Sequence, residues 1–125
     1  MLADDNFTIL RSYFSSAFNC LLGDSLHNCT SLTHIYFGYN FDNPLGNALD
    51  NCTALTHIKF GDNFNQPLVN SLDNCTALTH IKFGYYFKRK CELLHNVRSL
   101  RLYYNNTYLI DYLPDAIEEL ELGVS

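Results

Sequence analysis

The feature that most constrains this chain is an eleven-residue block that recurs at a fixed distance. Residues 51–61 read NCTALTHIKFG, residues 74–84 repeat the same letters, and residues 28–38 read NCTSLTHIYFG, so the same offset separates each block from the next. The linking segments FDNPLGNALD (41–50) and FNQPLVNSLD (64–73) also match each other. A period of this length is typical of a solenoid, in which each repeat is one structural unit stacked on the next.

The apolar residues inside the block follow a defined pattern. Leu55, Ile58 and Phe60 give L-x-x-I-x-F, and Asn63 follows three residues after the Phe. This corresponds to the L-x-x-L-x-L-x-x-N signature of leucine-rich repeats. The Asn is expected to bond to backbone groups left unpaired in the turns. Other copies start at Leu32, Leu78, Val97 and Ile117, and a degraded copy projects backward onto Ile9, Ser12 and Phe14.

The chain resembles leucine-rich-repeat proteins over residues 18–123. Its FDNPL and FNQPL segments and the LPDAIEELELG stretch at 113–123 resemble the FNIP-type repeats of amoebae and giant DNA viruses. The N-C-T-x-L-T-x-I phrase is also similar to BspA-type repeats. The resemblance implies an α/β-type leucine-rich-repeat solenoid that is mainly β. We expect a right-handed coil with a parallel β-sheet on the concave face and short 3₁₀ or extended segments on the convex face.

The length of 125 residues predicts a single leucine-rich-repeat domain over 1–125. Residues 1–27 are assigned to an N-terminal cap and the degraded repeat, and 28–87 to three regular 23-residue repeats. Residues 88–125 are assigned to two irregular repeats, which are spaced more closely than the regular ones, with an uncapped end. Because terminal repeats bare a core face, a longer array or a partner that covers this end is expected.

Strand alternation predicts which side chains enter the core. Ile58 and Phe60 should point inward, and His57 and Lys59 outward. The rest of the inward set of that repeat is Leu49, Cys52, Leu55, Phe64 and Leu68. Cys29, Cys52 and Cys75 recur at one inward position, so they are predicted to be reduced, buried thiols that pack as small apolar side chains.

The outward positions of successive strands predict a surface of Tyr and positively charged side chains, which we call the concave strip. Its members are Tyr36, His34, His57, Lys59, His80, Lys82, Arg101 and Tyr103. Tyr and Arg are favoured at protein interfaces, and a cationic surface steers acidic partners toward itself. The formal net charge of the chain is −5, and Glu119 and Glu121 reverse the sign at the last strand. The alternative is an ordinary solvated sheet face.

These observations predict a non-catalytic protein-protein interaction module that binds a protein partner with an acidic patch on the concave strip. No nucleophile elbow, Walker loop, zinc-protease or dinucleotide motif occurs, so an enzyme is not expected. No cofactor is predicted, and no metal either, because a flat ladder of His34, His57 and His80 on parallel strands does not easily converge on one ion. The alternative function is a structural or assembly protein, for example of a viral particle, that associates through exposed solenoid ends.

Composition narrows the other partners and the location. Apolar residues make up 47% of the chain and charged residues 17%, which argues against a disordered tail and against nucleic-acid binding. No run of 18 apolar residues exists, so no membrane association is expected. The first residues lack the features of a signal peptide, which predicts an intracellular, cytoplasmic protein, in the host cytoplasm or virion if it is viral. Self-association, or membership of a longer chain, is left open.

Overall fold

The fold is seen in a computed structural model that describes residues 9–10, 19–89, 95–103 and 113–123. These residues form a solenoid of about four turns around one six-stranded parallel sheet. The strands are β1 (Ile9–Leu10), β2 (His34–Tyr36), β3 (His57–Lys59), β4 (His80–Lys82), β5 (Ser99–Tyr103) and β6 (Glu119–Gly123), and they neighbour each other in chain order. Within these ranges the structure has no helix, and therefore none long and apolar enough to cross a membrane. The predicted leucine-rich-repeat solenoid is confirmed.

The strands pair in the register that the sequence repeat predicts. His34 is the partner of His57 and His57 of His80, and Ile58 lies between Ile35 and Ile81 in the same way. From β4 to β5 the offset along the chain is shorter, and His80 is opposite Ser99. Each side chain on one strand therefore lies next to its own equivalent on the following strand.

The register predicted for the first, degraded repeat was wrong by two positions. Projection by one repeat length placed Ser12 opposite Ile35, whereas Leu10 is the partner of Ile35 and Ile9 that of His34. Ser12 itself lies outside the described residues. Ile35 is buried, and a serine hydroxyl placed opposite it would lose its hydration without gaining a partner, which disfavours the projected register.

Two ladders of phenylalanine rings fill the core behind the sheet. Phe37, Phe60 and Phe83 stack with ring centroids 5.3 and 5.5 Å apart, and the second ladder, Phe41, Phe64 and Phe87, stacks at 6.0 Å. The ladders also contact each other, for example at 4.1 Å between Phe60 and Phe64. All the residues of the predicted inward set are buried. Aromatic contacts at these distances add to the stabilisation from burial alone.

The inward position of the three cysteines is confirmed, since Cys29, Cys52 and Cys75 are fully buried. Burial raises the pKa of the Cys52 thiol to about 12, and the neighbouring Cys75 and Cys29 add to the effect. Burial also raises the pKa of the Cys75 thiol to about 11, with a smaller contribution from Asp50. The Cys52 and Cys75 thiols are therefore protonated at neutral pH and act as packing groups.

The convex side consists of short irregular segments and tight turns, in agreement with the short 3₁₀ or extended segments that were expected. Each turn is closed by a backbone bond across three residues, such as the Cys52 N–H to the Leu49 carbonyl at 3.0 Å and the equivalent Cys75–Leu72 bond. Such turns satisfy the backbone within a few residues. They allow each coil to return to the sheet in the short distance that one repeat permits.

The turn that follows each strand depends on close backbone approach. A Cβ added at Gly61 would collide with the carbonyl oxygen of Gly38, and one at Gly84 with that of Gly61. The repeat Asn does not bond to the backbone here as expected, because the Asn63 amide donates to the side-chain oxygen of Asn40 at 3.0 Å. The backbone of this turn is bonded instead by residues two positions later along the repeat.

These residues, Asn19, Asp42 and Asn65, form a ladder of hydrogen bonds that runs from one coil to the next. The Asp42 carboxylate accepts the Asn65 backbone N–H at 2.9 Å, and the Asn65 side-chain oxygen accepts the Lys88 N–H at 2.9 Å. The Asn19 oxygen does the same for Asp42 at 2.8 Å. Each coil thus satisfies a donor of the next coil, which reinforces the stacking that the apolar core drives.

Replacing Phe60 by Ala tests the packing of the ladders. The ring is 2% exposed and contacts both ladders. Its loss should lower the free energy of unfolding by about 3–5 kcal/mol. Val69, which is 75% exposed, provides the control, and Val69→Ala should change stability by less than about 0.5 kcal/mol. Urea denaturation measures both values, and equal effects would contradict the packing described.

Candidate binding face

The concave strip lies on one face of the sheet, as β2, β3, β4 and β5 each present alternate residues outward. Five members, Tyr36, His57, Lys59, His80 and Lys82, line an open depression of about 590 Å³, together with Phe37, Ile58, Ser99 and Glu119. His34 lies beside them and stacks on His57. Arg101 and Tyr103 lie on β5, outside the lining of the depression. The face is thus centred on three neighbouring strands.

The three histidines form a stacked column across the sheet. The His34 and His57 ring centroids are 4.1 Å apart with 11° between the planes, and His57 and His80 are related in nearly the same way, at 4.1 Å and 12°. Each imidazole Nδ1 lies 2.8 Å from the hydroxyl oxygen of the threonine that precedes it. Since parallel rings are held by the same ring atom, their Nε2 atoms face the same way instead of converging.

The middle ring of the column favours the neutral state. The pKa of His57 falls from its ordinary value to about 4 because burial penalises the charged ring, with further lowering from His80, His34 and Lys82. His57 is the middle ring, so it would meet a positive neighbour on either side. At neutral pH it is therefore uncharged, and it offers hydrogen bonds instead of charge.

Positive charge on this face belongs to the two lysines. Lys59 and Lys82 are exposed and are partners on neighbouring strands. Within the described parts of the chain, neither of them forms an ion pair. Two like charges directly opposite each other on adjacent strands are destabilising. An anion placed between them would relieve this repulsion.

Arg101 differs from the lysines because an acidic side chain stands next to it. Its Nε lies 3.5 Å from a carboxylate oxygen of Glu121 on β6, although this nitrogen does not meet hydrogen-bond geometry. Its guanidinium is 5.2 Å from the centroid of the Tyr103 ring. On the same strand, the Ser99 hydroxyl donates to Glu119 at 3.0 Å. The β5 part of the concave strip is therefore largely neutralised by β6.

The sequence interpretation missed the threonines that hold the histidines. Thr33, Thr56 and Thr79 precede His34, His57 and His80, and the Thr56 hydroxyl also bonds to the Thr33 carbonyl at 3.0 Å. The sequence did contain a signal for these threonines, because the Thr-His pair is unchanged in all three blocks.

Among the described residues, no three His, Cys, Asp or Glu side chains are grouped so as to hold a metal ion.

Comparison with known proteins supports the fold. The chain is similar to the crystal structure of CroV588, a circular leucine-rich-repeat protein from a giant virus, with a TM-score of 0.74 and 26% sequence identity. The match covers 89% of this chain and 17% of that chain, so this chain spans about a sixth of its length. No protein-family model matches the chain, and no curated protein matches it. Leucine-rich-repeat folds commonly mediate protein interactions and are typically non-catalytic.

Stability should fall as the pH falls from about 6.5 toward about 4, because His57 has an ordinary pKa of 6.5 and a value of about 4 in the fold. In this window the unfolded chain binds a proton that the folded chain does not, so acid favours unfolding. His57→Phe keeps a stacked ring without the titration. The loss in free energy of unfolding between about pH 7 and about pH 5, measured with urea, should therefore be smaller in this variant.

His95 provides the matched control, since it lies in an exposed turn away from the column. The His95→Phe variant should lose as much stability on acidification as the unmodified protein. An identical pH dependence in His57→Phe and the unmodified protein would contradict the neutral column.

Proposed function

We propose that this chain is a non-catalytic protein-interaction module that binds an acidic segment of a partner protein on the outward face of β2, β3 and β4. The observation that carries the proposal is the pair Lys59 and Lys82, exposed on adjacent strands and without an ion pair in the described residues. His57, His80 and Tyr36 lie next to this pair. The FDNPL and FNQPL segments support assigning the repeats to the FNIP type.

The electrostatics of the face support an anionic partner. The two ammonium groups lie on strands about 4.8 Å apart, so their repulsion raises the energy of the free protein. A carboxylate bound between them makes two charge-assisted hydrogen bonds and removes this repulsion. The rest of the chain is acidic, with a net charge of −5, so an acidic partner is directed to this face by local attraction and repelled elsewhere.

The shape of the face supports a peptide segment as the ligand. The depression of about 590 Å³ is open and extends across several strands, and it lacks the enclosure that buries a small molecule. An extended segment can lie along the strands and place alternate side chains on the sheet. Tyr36 at one margin provides the kind of aromatic contact that is enriched in protein interfaces.

Selection from a library of displayed random peptides tests this function. Peptides retained by the unmodified protein should be enriched in Asp and Glu, because these provide the anion for Lys59 and Lys82. The Lys59→Glu/Lys82→Glu variant should bind the selected peptides at least about tenfold more weakly, since loss of a charge-assisted contact costs about 2 kcal/mol or more. Fluorescence anisotropy with labelled peptides measures the change.

A second double variant serves as the matched control. Lys88→Glu/Arg98→Glu changes the net charge by the same amount at two exposed positions outside the depression. Its affinity should stay near that of the unmodified protein. Selected peptides without an excess of acids, or equal losses in both double variants, would overturn the proposed binding face.

A second candidate function is assembly through β6, and it is favoured by the exposure of two leucines. Leu120 and Leu122 pair with Leu100 and Leu102, which are fully buried, yet they are 38% and 46% exposed. A second copy of the chain stacked on β6 would cover them and extend the core. The circular CroV588 solenoid, of which this chain matches 17%, illustrates how far such stacking can continue.

Sedimentation velocity over a dilution series tests the assembly. The unmodified protein should form larger species as its concentration rises, and Leu120→Gln/Leu122→Gln should shift it toward the monomer because the apolar contact is lost. Leu21→Gln/Val69→Gln, at two other exposed apolar positions, should leave the distribution unchanged. A monomer at every concentration of the unmodified protein would exclude this candidate.

A further inference from the structure

The hydroxyl protons of two threonines on the binding face are already committed. The Thr56 hydroxyl lies 3.0 Å from the Thr33 carbonyl oxygen, and the Thr79 hydroxyl lies 3.3 Å from the Thr56 carbonyl oxygen. A carbonyl oxygen has no proton to give, so each threonine must donate in this bond. A hydroxyl has a single proton, and both are therefore used along the backbone ladder.

This commitment favours one tautomer of the neighbouring histidines. The Thr56 oxygen is also 2.8 Å from His57 Nδ1, and the Thr79 oxygen is 2.8 Å from His80 Nδ1. With its proton already donated, each oxygen can only accept, so each Nδ1 carries a hydrogen. In a neutral imidazole the other nitrogen then has none. His57 and His80 consequently present two bare Nε2 lone pairs, about one strand spacing apart, within the depression.

The stacking disfavours a positive charge on His57. The rings of His57 and His80 are 4.1 Å apart, and a proton on either would bring a positive charge against the other and close to Lys82. The outward face thus has two chemically different rows. Toward a ligand, the Nε2 atoms of His57 and His80 accept hydrogen bonds, and the ammonium groups of Lys59 and Lys82 donate them.

We infer that the histidine row recognises neutral hydrogen-bond donors, so that the face selects segments with Asn, Gln, Ser or Thr two residues from the acidic side chain held by Lys59 and Lys82. The inference rests on the proposed function and specifies its ligand. His57 and Lys59 are two residues apart on one strand, which is about 6.6 Å. Side chains two residues apart in an extended peptide have the same spacing, so one peptide face matches both rows.

Nuclear magnetic resonance tests the tautomer without any ligand. Long-range ¹H–¹⁵N correlation spectra of ¹⁵N-labelled protein at neutral pH should show Nδ1 protonated and Nε2 unprotonated for both histidines, assigned with His57→Phe and His80→Phe. The Thr56→Val variant lacks the hydroxyl oxygen that accepts from His57 Nδ1–H. The ¹⁵N pattern of His57 should therefore change, while His80 should keep the Nδ1–H pattern. A proton on Nε2 of both rings in the unmodified protein would overturn the inference.

Binding of a matched peptide pair tests the specificity. The two fluorescein-labelled peptides are an acidic peptide from the display selection with either Gln or Met two positions from its Glu, because these side chains are similar in size. The Gln peptide should bind about threefold to tenfold more tightly, the range expected for one added hydrogen bond. The His57→Phe/His80→Phe variant should lose the preference and bind the Gln and Met peptides with equal affinity, because the ligand meets no acceptor in either case. His95→Phe, the matched control, should retain the preference.

The outcomes separate this inference from the function on which it rests. Equal binding of the two peptides by the unmodified protein, with the expected loss in Lys59→Glu/Lys82→Glu, overturns the donor selectivity and leaves the acidic binding face in place. If neither peptide binds to the unmodified protein, both the donor selectivity and the acidic binding face are overturned. A preference for the Gln peptide that persists in His57→Phe/His80→Phe also overturns the inference, because the acceptor would then lie elsewhere.

Discussion

Parallel pairing of each strand with its own copy, one repeat further along the chain, is the constraint from which the other features of this structure follow. Equal coils in register bring every side chain next to its equivalent, about 4.8 Å away. For apolar residues this is favourable, and it produces the phenylalanine ladders and the buried thiols. Polar turn residues also gain, since Asp42 and Asn65 can each satisfy a donor of the following coil. The repetition that builds the core therefore also closes the backbone hydrogen bonds.

The same constraint is costly for ionisable groups, and its cost shapes the binding face. A stack of three charged imidazoles at 4.1 Å would be strongly repulsive, and the pKa of the middle ring, His57, is lowered by burial and by its neighbours. Lysines cannot lose their charge as easily, because their ordinary pKa lies far above neutral pH. Lys59 and Lys82 consequently remain as a repelling pair at the surface. This pair destabilises the isolated protein and is stabilised when an anion binds between the two ammonium groups, which makes it well suited to recognition.

The sequence predicts the regular part of this fold well because register and burial there depend on one period. The strands, the inward set and the alignment of His34, His57 and His80 could all be read from identical blocks. At the degraded repeat that period no longer applies, and Leu10 takes the place opposite Ile35 that the period gives to Ser12. The capping role of Asp42 and the tautomers of His57 and His80 depend on distances of about 3 Å between coils, which no pattern of letters specifies. The partner pairs Arg101–Glu121 and Ser99–Glu119 likewise needed the sheet register.

The boundary of the binding face coincides with the end of exact repetition. Where the spacing between equivalent positions shortens, Ser99 replaces the histidine of the block, and the next strand places Glu119 and Glu121 opposite Ser99 and Arg101. Opposite charges now lie on neighbouring strands, which removes both the repulsion and the site for an external anion. On β3 and β4 the histidines are accompanied by Lys59 and Lys82, whose partners across the sheet are Tyr36, each other and Arg101. A ligand that needs both the histidine row and the lysine row is therefore confined to β2, β3 and β4. The exposed leucines of β6 suit an apolar contact with another copy of the chain instead.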